Sequence, residues 1–129
     1  CHCWMYQWAS GSAFTLNAIY PRVSFSITTG EPRWYASSVI MERGFCPDCG
    51  TPLFVRCAEN EWLGWVGGSV PVHDNPEAIP PECHFGFESK LAWLHIHDNL
   101  PHTEYPDEFL ESASVDDNDA YVTLTKVGE

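Results

Sequence analysis

The sequence predicts a mainly β fold in a single domain. The clearest strand signal is the run VSFSITTG, in which Val23, Phe25 and Ile27 alternate with small polar residues at the two-residue period of a half-buried strand. Several other short runs are rich in aromatic and β-branched residues and are cut by Gly, Pro and Asn. No long stretch carries the 3.6-residue period of an amphipathic helix. A chain of 129 residues has the length of one domain with its own hydrophobic core.

The other elements follow from local composition, in chain order. Besides the run at 23–30, strands are predicted within residues 12–21, 33–41, 51–57, 61–68 and 121–127. Four prolines in segment 71–82 restrict the backbone and remove amide donors, so we expect an irregular connection there. Segment 89–101 fits either a short strand or a turn. The acidic stretch 107–119 is predicted to be a loop before the last strand.

The charge balance excludes some partners. The chain has 18 acidic and 6 basic residues and a formal net charge of -12, so a nucleic-acid backbone or an anionic membrane surface would be repelled. No apolar run reaches the roughly 18 residues of a membrane helix, and no secretory signal pattern is present. We therefore expect a cytoplasmic protein that acts on a small-molecule substrate, with no nucleic acid and no membrane as partner.

Two close pairs among the six cysteines suggest metal binding. Cys46 and Cys49 have C-x-x-C spacing with Gly50 directly after them, as in a zinc knuckle, where both thiolates reach one ion and the turn amides donate to the sulfurs. A redox dithiol and two buried cysteines are the competing interpretations, but a thioredoxin-like site needs a βαβ context that is missing here. The spacing favours zinc. Counting ligands alone, Cys1 and Cys3 would complete a tetrahedron of four thiolates.

Further spaced motifs extend over most of the chain. In order, these are CHC, GSAF, SS, RGFCPDCGTPL, GGS, a histidine ahead of a Lys and a Trp, and DNLP, from Cys1 to about Pro106. The set resembles the glutathione-dependent formaldehyde-activating enzyme family, which includes centromere protein V. The resemblance implies a β-rich, tent-like zinc fold with two metal positions. It also implies carbon-sulfur lyase chemistry, in which zinc presents glutathione to formaldehyde.

The resemblance assigns roles to individual residues. Cys46 and Cys49 would form half of a structural zinc site, with the other half in an upstream C-x-C pair that precedes this sequence. The family's second position, C-x-C-x-x-C, would be Cys1, Cys3 and residue 6, which is Tyr6 here. Three thiolates with an open position would let zinc bind an incoming thiol as thiolate. A phenol is a poor zinc ligand at neutral pH, although a bound cation can lower its pKa.

The tyrosine leaves three interpretations open. In the first, zinc sits on Cys1 and Cys3 with one further ligand and an open water position, which favours lyase or hydrolytic chemistry. In the second, this site is empty and the protein is a zinc-stabilised binding module. In the third, the two cysteine pairs form one closed site. The candidates for the further ligand in the first interpretation are Tyr6, His2, Cys57 and Cys83.

Three other groups are candidate site residues. His84, at the family's histidine position, can orient substrate, act as acid or base near neutral pH, or serve as a structural hydrogen-bond partner. Arg43 can bind an anion such as a substrate carboxylate, or pair with an acidic side chain. His95, His97 and Asp98 have the composition of a two-histidine, one-carboxylate metal set, but we favour two surface histidines before a turn.

Taken together, these patterns predict a zinc-dependent enzyme of the carbon-sulfur lyase type that acts on a small-molecule adduct. The predicted metal ligands are Cys1, Cys3, Cys46 and Cys49, and the predicted catalytic residues are Tyr6, Arg43 and His84. A zinc-dependent hydrolase or carbon-carbon lyase acting on another metabolite is one alternative. A non-catalytic, zinc-stabilised binding module is the other.

Overall fold

The described part of the chain contains one α-helix and seven β-strands. The computed structural model describes residues 1–38, 41–57 and 65–104. The elements, in chain order, are α1 (Trp4–Ser10), β1 (Asn17–Pro21), β2 (Arg33–Ala36), β3 (Met41–Phe45), β4 (Pro52–Cys57), β5 (Trp65–Ser69), β6 (His84–Phe85) and β7 (His102–Thr103). The predicted tail strand 121–127 and the predicted acidic loop 107–119 lie outside the described residues, as do residues 61–64 of the fifth predicted strand.

Five strands form one antiparallel sheet in the order β1-β5-β4-β3-β2. The central strand β4 pairs with β3 on one side and with β5 on the other. The short strands β6 and β7 form a separate parallel pair, in which His84 lies opposite His102. The prediction of a mainly β fold is confirmed.

The inner face of the sheet is defined here by Met41 and Arg43 of β3 and by Val55 and Cys57 of β4. Side chains alternate along a strand, so residues paired across two strands share a face. Arg43 pairs with Val55, and Met41 pairs with Cys57. The helix α1 lies on this side, because the Arg43 guanidinium stacks over the ring of Tyr6 at 4.5 Å from its centroid. The inner face is therefore where the N-terminal segment meets the sheet.

The outer face of the same strands carries a different set of contacts. Arg56 Nε donates to Glu42 Oε2 at 2.6 Å, and its guanidinium stacks over Trp34 at 3.7 Å. Phe54 packs against Trp34 with a centroid distance of 6.4 Å and against Phe25 at 4.9 Å. The charge of Arg56 is thus neutralised within the sheet and covered by an aromatic cluster.

The core of the described residues is small and tightly packed around β4 and β5. Its buried side chains are Cys3, Val55, Cys57, Val66 and Val70, together with the polar side chain of His2. Gly67 lies opposite Val55, and a Cβ atom on Gly67 would be only 2.7 Å from Val55 Cγ1. The close approach of β4 and β5 at this point therefore requires a glycine.

The prediction of a strand in the alternating run VSFSITTG is wrong. Residues Arg22–Ser24 form a 3-10 turn, and no strand follows before Gly30. Val23 is 98% exposed and Ile27 is also exposed, so the apolar side of the alternation does not face a core. Phe25 packs against the sheet through Phe54. A two-residue period indicates a strand only where a partner strand and a buried face are available.

The other strand predictions agree with the structure in place but not always in their bounds. The strands β1 and β4 fall within their predicted segments, and β5 extends one residue past its segment. Segment 33–41 contains all of β2 but only the first residue of β3, so most of β3 was not predicted. The chain turns between β2 and β3, where Ser37 N donates to Met41 O at 2.9 Å and Met41 N donates to Ser38 Oγ at 3.1 Å. Segment 71–82 is irregular, as predicted, and segment 89–101 contains no strand.

The helix α1 was not predicted, because seven residues are too few to display a helical period. The amides of Tyr6 and Gln7 donate to the carbonyl of Cys3, both at 3.1 Å, and Gly11 ends the helix with a φ of 66°. Trp4 and Trp8 are exposed and pack edge to face at 5.1 Å. No helix in the described ranges is long and apolar enough to cross a membrane.

Candidate functional site

The turn between β3 and β4 carries the C-x-x-C pair. Cys46 N donates to Thr51 O at 2.9 Å, and Gly50 N donates to Cys46 O at 2.8 Å. Gly50 has a φ of 74°, a left-handed conformation that glycine adopts without strain. Hydrogen bonds to Thr51 and to Cys46 lower the pKa of the exposed Cys49 thiol, whose Sγ lies 3.0 Å from Thr51 Oγ1. The turn therefore favours a thiolate at Cys49, as a metal site of this spacing requires.

The C-H-C segment is held by hydrogen bonds to three separate parts of the chain. The backbone N of Cys1 donates to Thr15 O at 2.6 Å, and Thr15 N donates back to Cys1 O at 3.0 Å. His2 N donates to Phe85 O of β6 at 2.8 Å. The side chain of Gln7, in α1, donates to His2 O at 2.7 Å. Both cysteines of this pair are therefore carried on a fixed backbone.

The two cysteine pairs do not come together. Among residues 1–38, 41–57 and 65–104, no group of three or more His, Cys, Asp and Glu side chains is arranged to hold one metal ion. Cys1 and Cys3 therefore do not join Cys46 and Cys49 in one four-thiol group here. Paired thiols are the donors that zinc prefers, and each pair would provide two of four tetrahedral ligands. The donor chemistry fits zinc, and the zinc knuckle stays a prediction.

Tyr6 and Arg43 form one unit on the inner face of the sheet. The guanidinium stacks on the phenol ring and also hydrogen-bonds the side chain of Tyr6. Burial raises the pKa of Tyr6 strongly, and the neighbouring sulfurs of Cys3 and Cys57 act in the same direction, while the charge of Arg43 opposes them. This shift favours the neutral phenol of Tyr6, which can donate a hydrogen bond.

Arg43 has an uncommon environment for a cation in an acidic protein. Its Nε is buried and has no hydrogen-bond partner within the described residues. Within the described residues, no carboxylate forms an ion pair with Arg43. The neighbouring Glu42 pairs with Arg56 instead. A buried donor without a partner costs about 1–3 kcal/mol. The alternative in which Arg43 pairs with an acidic side chain is thus not seen in these parts of the chain.

His84 lies between a carboxylate and a second histidine. Its Nε2 lies 2.9 Å from Asp98 Oδ2 and 3.0 Å from Asp98 Oδ1, and its Nδ1 lies 3.0 Å from His2 Nε2. Desolvation opposes ionisation of Asp98, but hydrogen bonds from His84 and from the Leu100 amide outweigh it and hold the pKa of that carboxyl below its ordinary value. Both ring nitrogens of His84 are therefore engaged within the protein, which favours its interpretation as a structural hydrogen-bond partner.

The suggested metal set of His95, His97 and Asp98 is not assembled in the structure. His95 and His97 are exposed on an irregular segment, so the interpretation as surface histidines agrees with the structure. Asp98 turns instead towards His84. The role of Asp98 was missed because its partner lies 14 residues earlier in the chain.

The remaining ligand candidates, Cys57 and Cys83, lie near Tyr6 and near Cys1. Cys57 Sγ donates to Met41 Sδ at 3.2 Å, and burial raises the pKa of its thiol. Cys83 is exposed. An open depression elsewhere is lined by Ile27, Gly30, Glu31, Pro32 and Trp34, and shares no residue with either cysteine pair. It is therefore not part of the candidate site.

A comparison with known protein families identifies the family to which this chain belongs. The sequence model of the family described as glutathione-dependent formaldehyde-activating enzyme matches residues 1–89. The chain belongs to this family. A comparison with curated protein sequences gives no match. Membership in the formaldehyde-activating enzyme family confirms the resemblance drawn from the motifs, and it supports an activity related to glutathione and formaldehyde, of a carbon-sulfur lyase kind.

The matched region of this formaldehyde-activating enzyme family includes most of the candidate site. Both cysteine pairs, Tyr6, Arg43 and His84 fall within residues 1–89. Asp98 lies beyond the match, although the structure joins it to His84. His2 also belongs to the site by contact, and its signal in the sequence was its place between the two cysteines of CHC.

Proposed function

We propose that the protein is a zinc-dependent enzyme of the carbon-sulfur lyase type, acting on an adduct between a thiol and a small aldehyde. The observation that carries the proposal is the grouping at the start of α1, where the fixed C-H-C segment is followed by the Tyr6–Arg43 unit. Cys3 is part of both, since its carbonyl accepts from the Tyr6 amide and its sulfur raises the pKa of the Tyr6 phenol. Family membership supports the same chemistry.

The reaction would join a thiol to a carbonyl carbon. A carbon-sulfur bond forms as the C=O π bond breaks, and the thiol proton passes to the carbonyl oxygen, which becomes a hydroxyl; the reverse reaction is the lyase direction. A zinc ion held by Cys1 and Cys3 would supply Lewis-acid chemistry at this site. The remaining tasks are to bind the substrate, to orient it and to stabilise the developing negative charge on oxygen.

Tyr6 and Arg43 are suited to these tasks. The neutral phenol of Tyr6 can donate a hydrogen bond to the carbonyl oxygen, which becomes more negative in the transition state. The Arg43 guanidinium can hold an anionic group of the substrate, such as a carboxylate. His84 would act indirectly, because both of its ring nitrogens already have partners.

The test is the rate at which the full-length, zinc-supplemented protein converts glutathione and formaldehyde to their adduct. Exchange of ¹³C-labelled formaldehyde, followed by NMR, measures the rate in both directions. We expect the wild type to accelerate exchange, Cys3→Ser to abolish the acceleration, and Tyr6→Phe to reduce it by about 10²-fold through loss of one donor. Arg56→Gln, on the outer face of the sheet, is the control and should behave as wild type.

A wild-type protein that leaves the exchange at its uncatalysed rate would contradict the proposal. A panel of thioesters and other esters would then test the hydrolase alternative. Equal activity of wild type and Cys3→Ser would show that the chemistry takes place elsewhere.

A further inference from the structure

A continuous line of hydrogen bonds joins Asp98 to the residue between Cys1 and Cys3. Asp98 contacts His84 Nε2 at 2.9 and 3.0 Å, and His84 Nδ1 contacts His2 Nε2 at 3.0 Å. An ionised carboxylate only accepts hydrogen bonds, so His84 Nε2 carries the proton and donates. In a neutral His84 ring, Nδ1 is then an acceptor, and His2 Nε2 donates to it. This arrangement of hydrogens gives each hydrogen bond along the line one donor and one acceptor.

The His2 ring depends on this line for its orientation. It is 1% exposed and packs against Phe14 at 5.5 Å and edge-on against Phe87 at 5.4 Å between centroids. Its other ring nitrogen, Nδ1, has no hydrogen-bond partner in the described ranges. The bond to His84 is therefore the polar contact of the ring that selects one rotamer and one tautomer. Aromatic packing alone does not distinguish a ring from its flipped form.

The ring is coupled to the cysteines by the backbone that all three share. His2 N donates to Phe85 O of β6 and His2 O accepts from Gln7, so the bond from the His2 ring to His84 is a third anchor on the residue between the two cysteines. The peptide units that flank His2 carry Cys1 and Cys3. Loss of the bond to His84 would therefore remove part of the restraint on both cysteines.

We propose that Asp98 and His84 are positioning residues that act through His2 to hold Cys1 and Cys3 in the geometry required for metal and thiol binding. The inference rests on the proposed function in one respect, that this cysteine pair is the reactive site. It assigns Asp98, which lies outside the region of family similarity, a part in that site. Residues that orient metal ligands from behind typically change metal affinity or activity by about 10- to 100-fold when they are replaced.

The first test measures cobalt(II) binding to the full-length protein by the sulfur-to-cobalt charge-transfer absorption. The band that belongs to this pair is identified as the one lost in Cys1→Ser and Cys3→Ser. We expect Asp98→Ala and His84→Gln to weaken that binding by about 10- to 100-fold. Asp98→Asn keeps an acceptor oxygen for His84 and should restore most of the affinity.

His73→Gln is the matched control. His73 is also a half-buried histidine with both ring nitrogens engaged, by Tyr20 OH at 2.7 Å and by Ser69 O at 2.9 Å, but it does not contact the C-H-C segment. We expect it to leave the cobalt band and affinity unchanged. If His73→Gln weakens cobalt binding as much as Asp98→Ala does, and Asp98→Asn restores nothing, the effect is general destabilisation and the proposal is wrong.

The second test uses metal-free protein, so that it does not depend on the proposed function. Iodoacetamide labelling followed by peptide mass spectrometry gives the alkylation rates of Cys1, Cys3 and, as an internal reference, Cys49, which is exposed on the C-x-x-C turn. We expect Cys3, which is 1% exposed, to react faster in Asp98→Ala and His84→Gln, with no change at Cys49. Unchanged rates in both variants would overturn the positioning role, whereas a wild type that binds no cobalt at this pair would instead contradict the proposed function.

Discussion

Arg43 and Arg56 lie on neighbouring strands, yet their side chains are placed in opposite electrostatic situations. Arg56 pairs with Glu42 and stacks on Trp34 on the outer face. Arg43 stacks on Tyr6 on the inner face, and its buried Nε has no partner in the described residues. Within the described residues Arg43 thus has a stacking partner but no carboxylate, and an anionic group of a substrate would fit beside it. This contrast supports the proposed role of Arg43.

The role of Arg43 predicts a specific kinetic effect. Arg43→Gln should raise the KM for glutathione by about 10- to 100-fold, the range that corresponds to the loss of a hydrogen bond to a charged group. The KM for a thiol without a carboxylate, such as 2-mercaptoethanol, should change little. Steady-state kinetics with both thiols measure the difference.

Arg56→Gln is the control for this prediction, because it removes the same charge from the other face of the sheet. It should leave the KM for both thiols unchanged. An equal rise in KM for both thiols in Arg43→Gln would show that Arg43 supports the fold of the site and does not bind the substrate's anionic group.

At the scale of elements, the contact between β4 and β5 leaves too little space for a side chain at Gly67. Gly67→Ala would place a methyl group 2.7 Å from Val55 Cγ1, so either the strands separate or Val55 moves. Overpacking of this kind costs about 1–3 kcal/mol. We expect Gly67→Ala to lower the free energy of unfolding by that amount, as measured by denaturant unfolding.

A second substitution tests whether the stated contact is the cause. In Gly67→Ala/Val55→Ala the methyl group has space, so the two destabilising effects should be less than additive. Full additivity in a double-mutant cycle would mean that the cost of Gly67→Ala arises from another contact.

The elements also show which parts of the fold could be predicted from the sequence. The strands β1, β4 and β5 were located because aromatic and β-branched residues in them are bounded by Gly, Pro and Asn, and these are local signals. The run at 23–30 has the best alternation of all, but it has no partner strand, and Val23 is almost fully exposed. The helix α1 was missed because seven residues are too few to show a period.

The candidate site residues could be proposed from the sequence, but their contacts could not. Cys1, Cys3, Tyr6 and Arg43 were all identified from motif and resemblance, and the stacking of Arg43 on Tyr6 appears only when β3 and α1 are placed together. Asp98 was considered only together with the nearby His95 and His97, in a metal set that was not favoured, and its partner His84 was not recognised because it lies 14 residues earlier in the chain. Contacts between residues distant in sequence are set by tertiary packing, which composition does not encode.

At the scale of the whole molecule, the fold gathers the site at one side of the five-stranded sheet. The C-H-C segment is tied to β6 and to Thr15, and the Tyr6–Arg43 unit connects it to the sheet. Met41, at the start of β3, pairs with Cys57, at the end of β4. The C-x-x-C turn joins the same two strands at their opposite ends. Two separate metal positions, as the family resemblance implies, are consistent with this arrangement.

The net negative charge of the molecule limits which partners it can bind. With 18 acidic and 6 basic residues, long-range repulsion disfavours nucleic acid and anionic membranes. The absence of a nucleic-acid partner therefore stays a prediction, alongside the small-molecule substrate that we propose.

The central claim is that Cys1 and Cys3 hold an exchangeable zinc ion separate from that of the C-x-x-C turn. The most direct measurement is the zinc content per chain of the full-length protein, before and after mild chelation, in the wild type, Cys3→Ser and Cys46→Ser. We predict two zinc ions in the wild type, of which chelation removes one; Cys3→Ser should lack the removable ion and keep the other, while Cys46→Ser should lose the resistant ion. A wild type with one resistant zinc that survives in Cys3→Ser would contradict the claim.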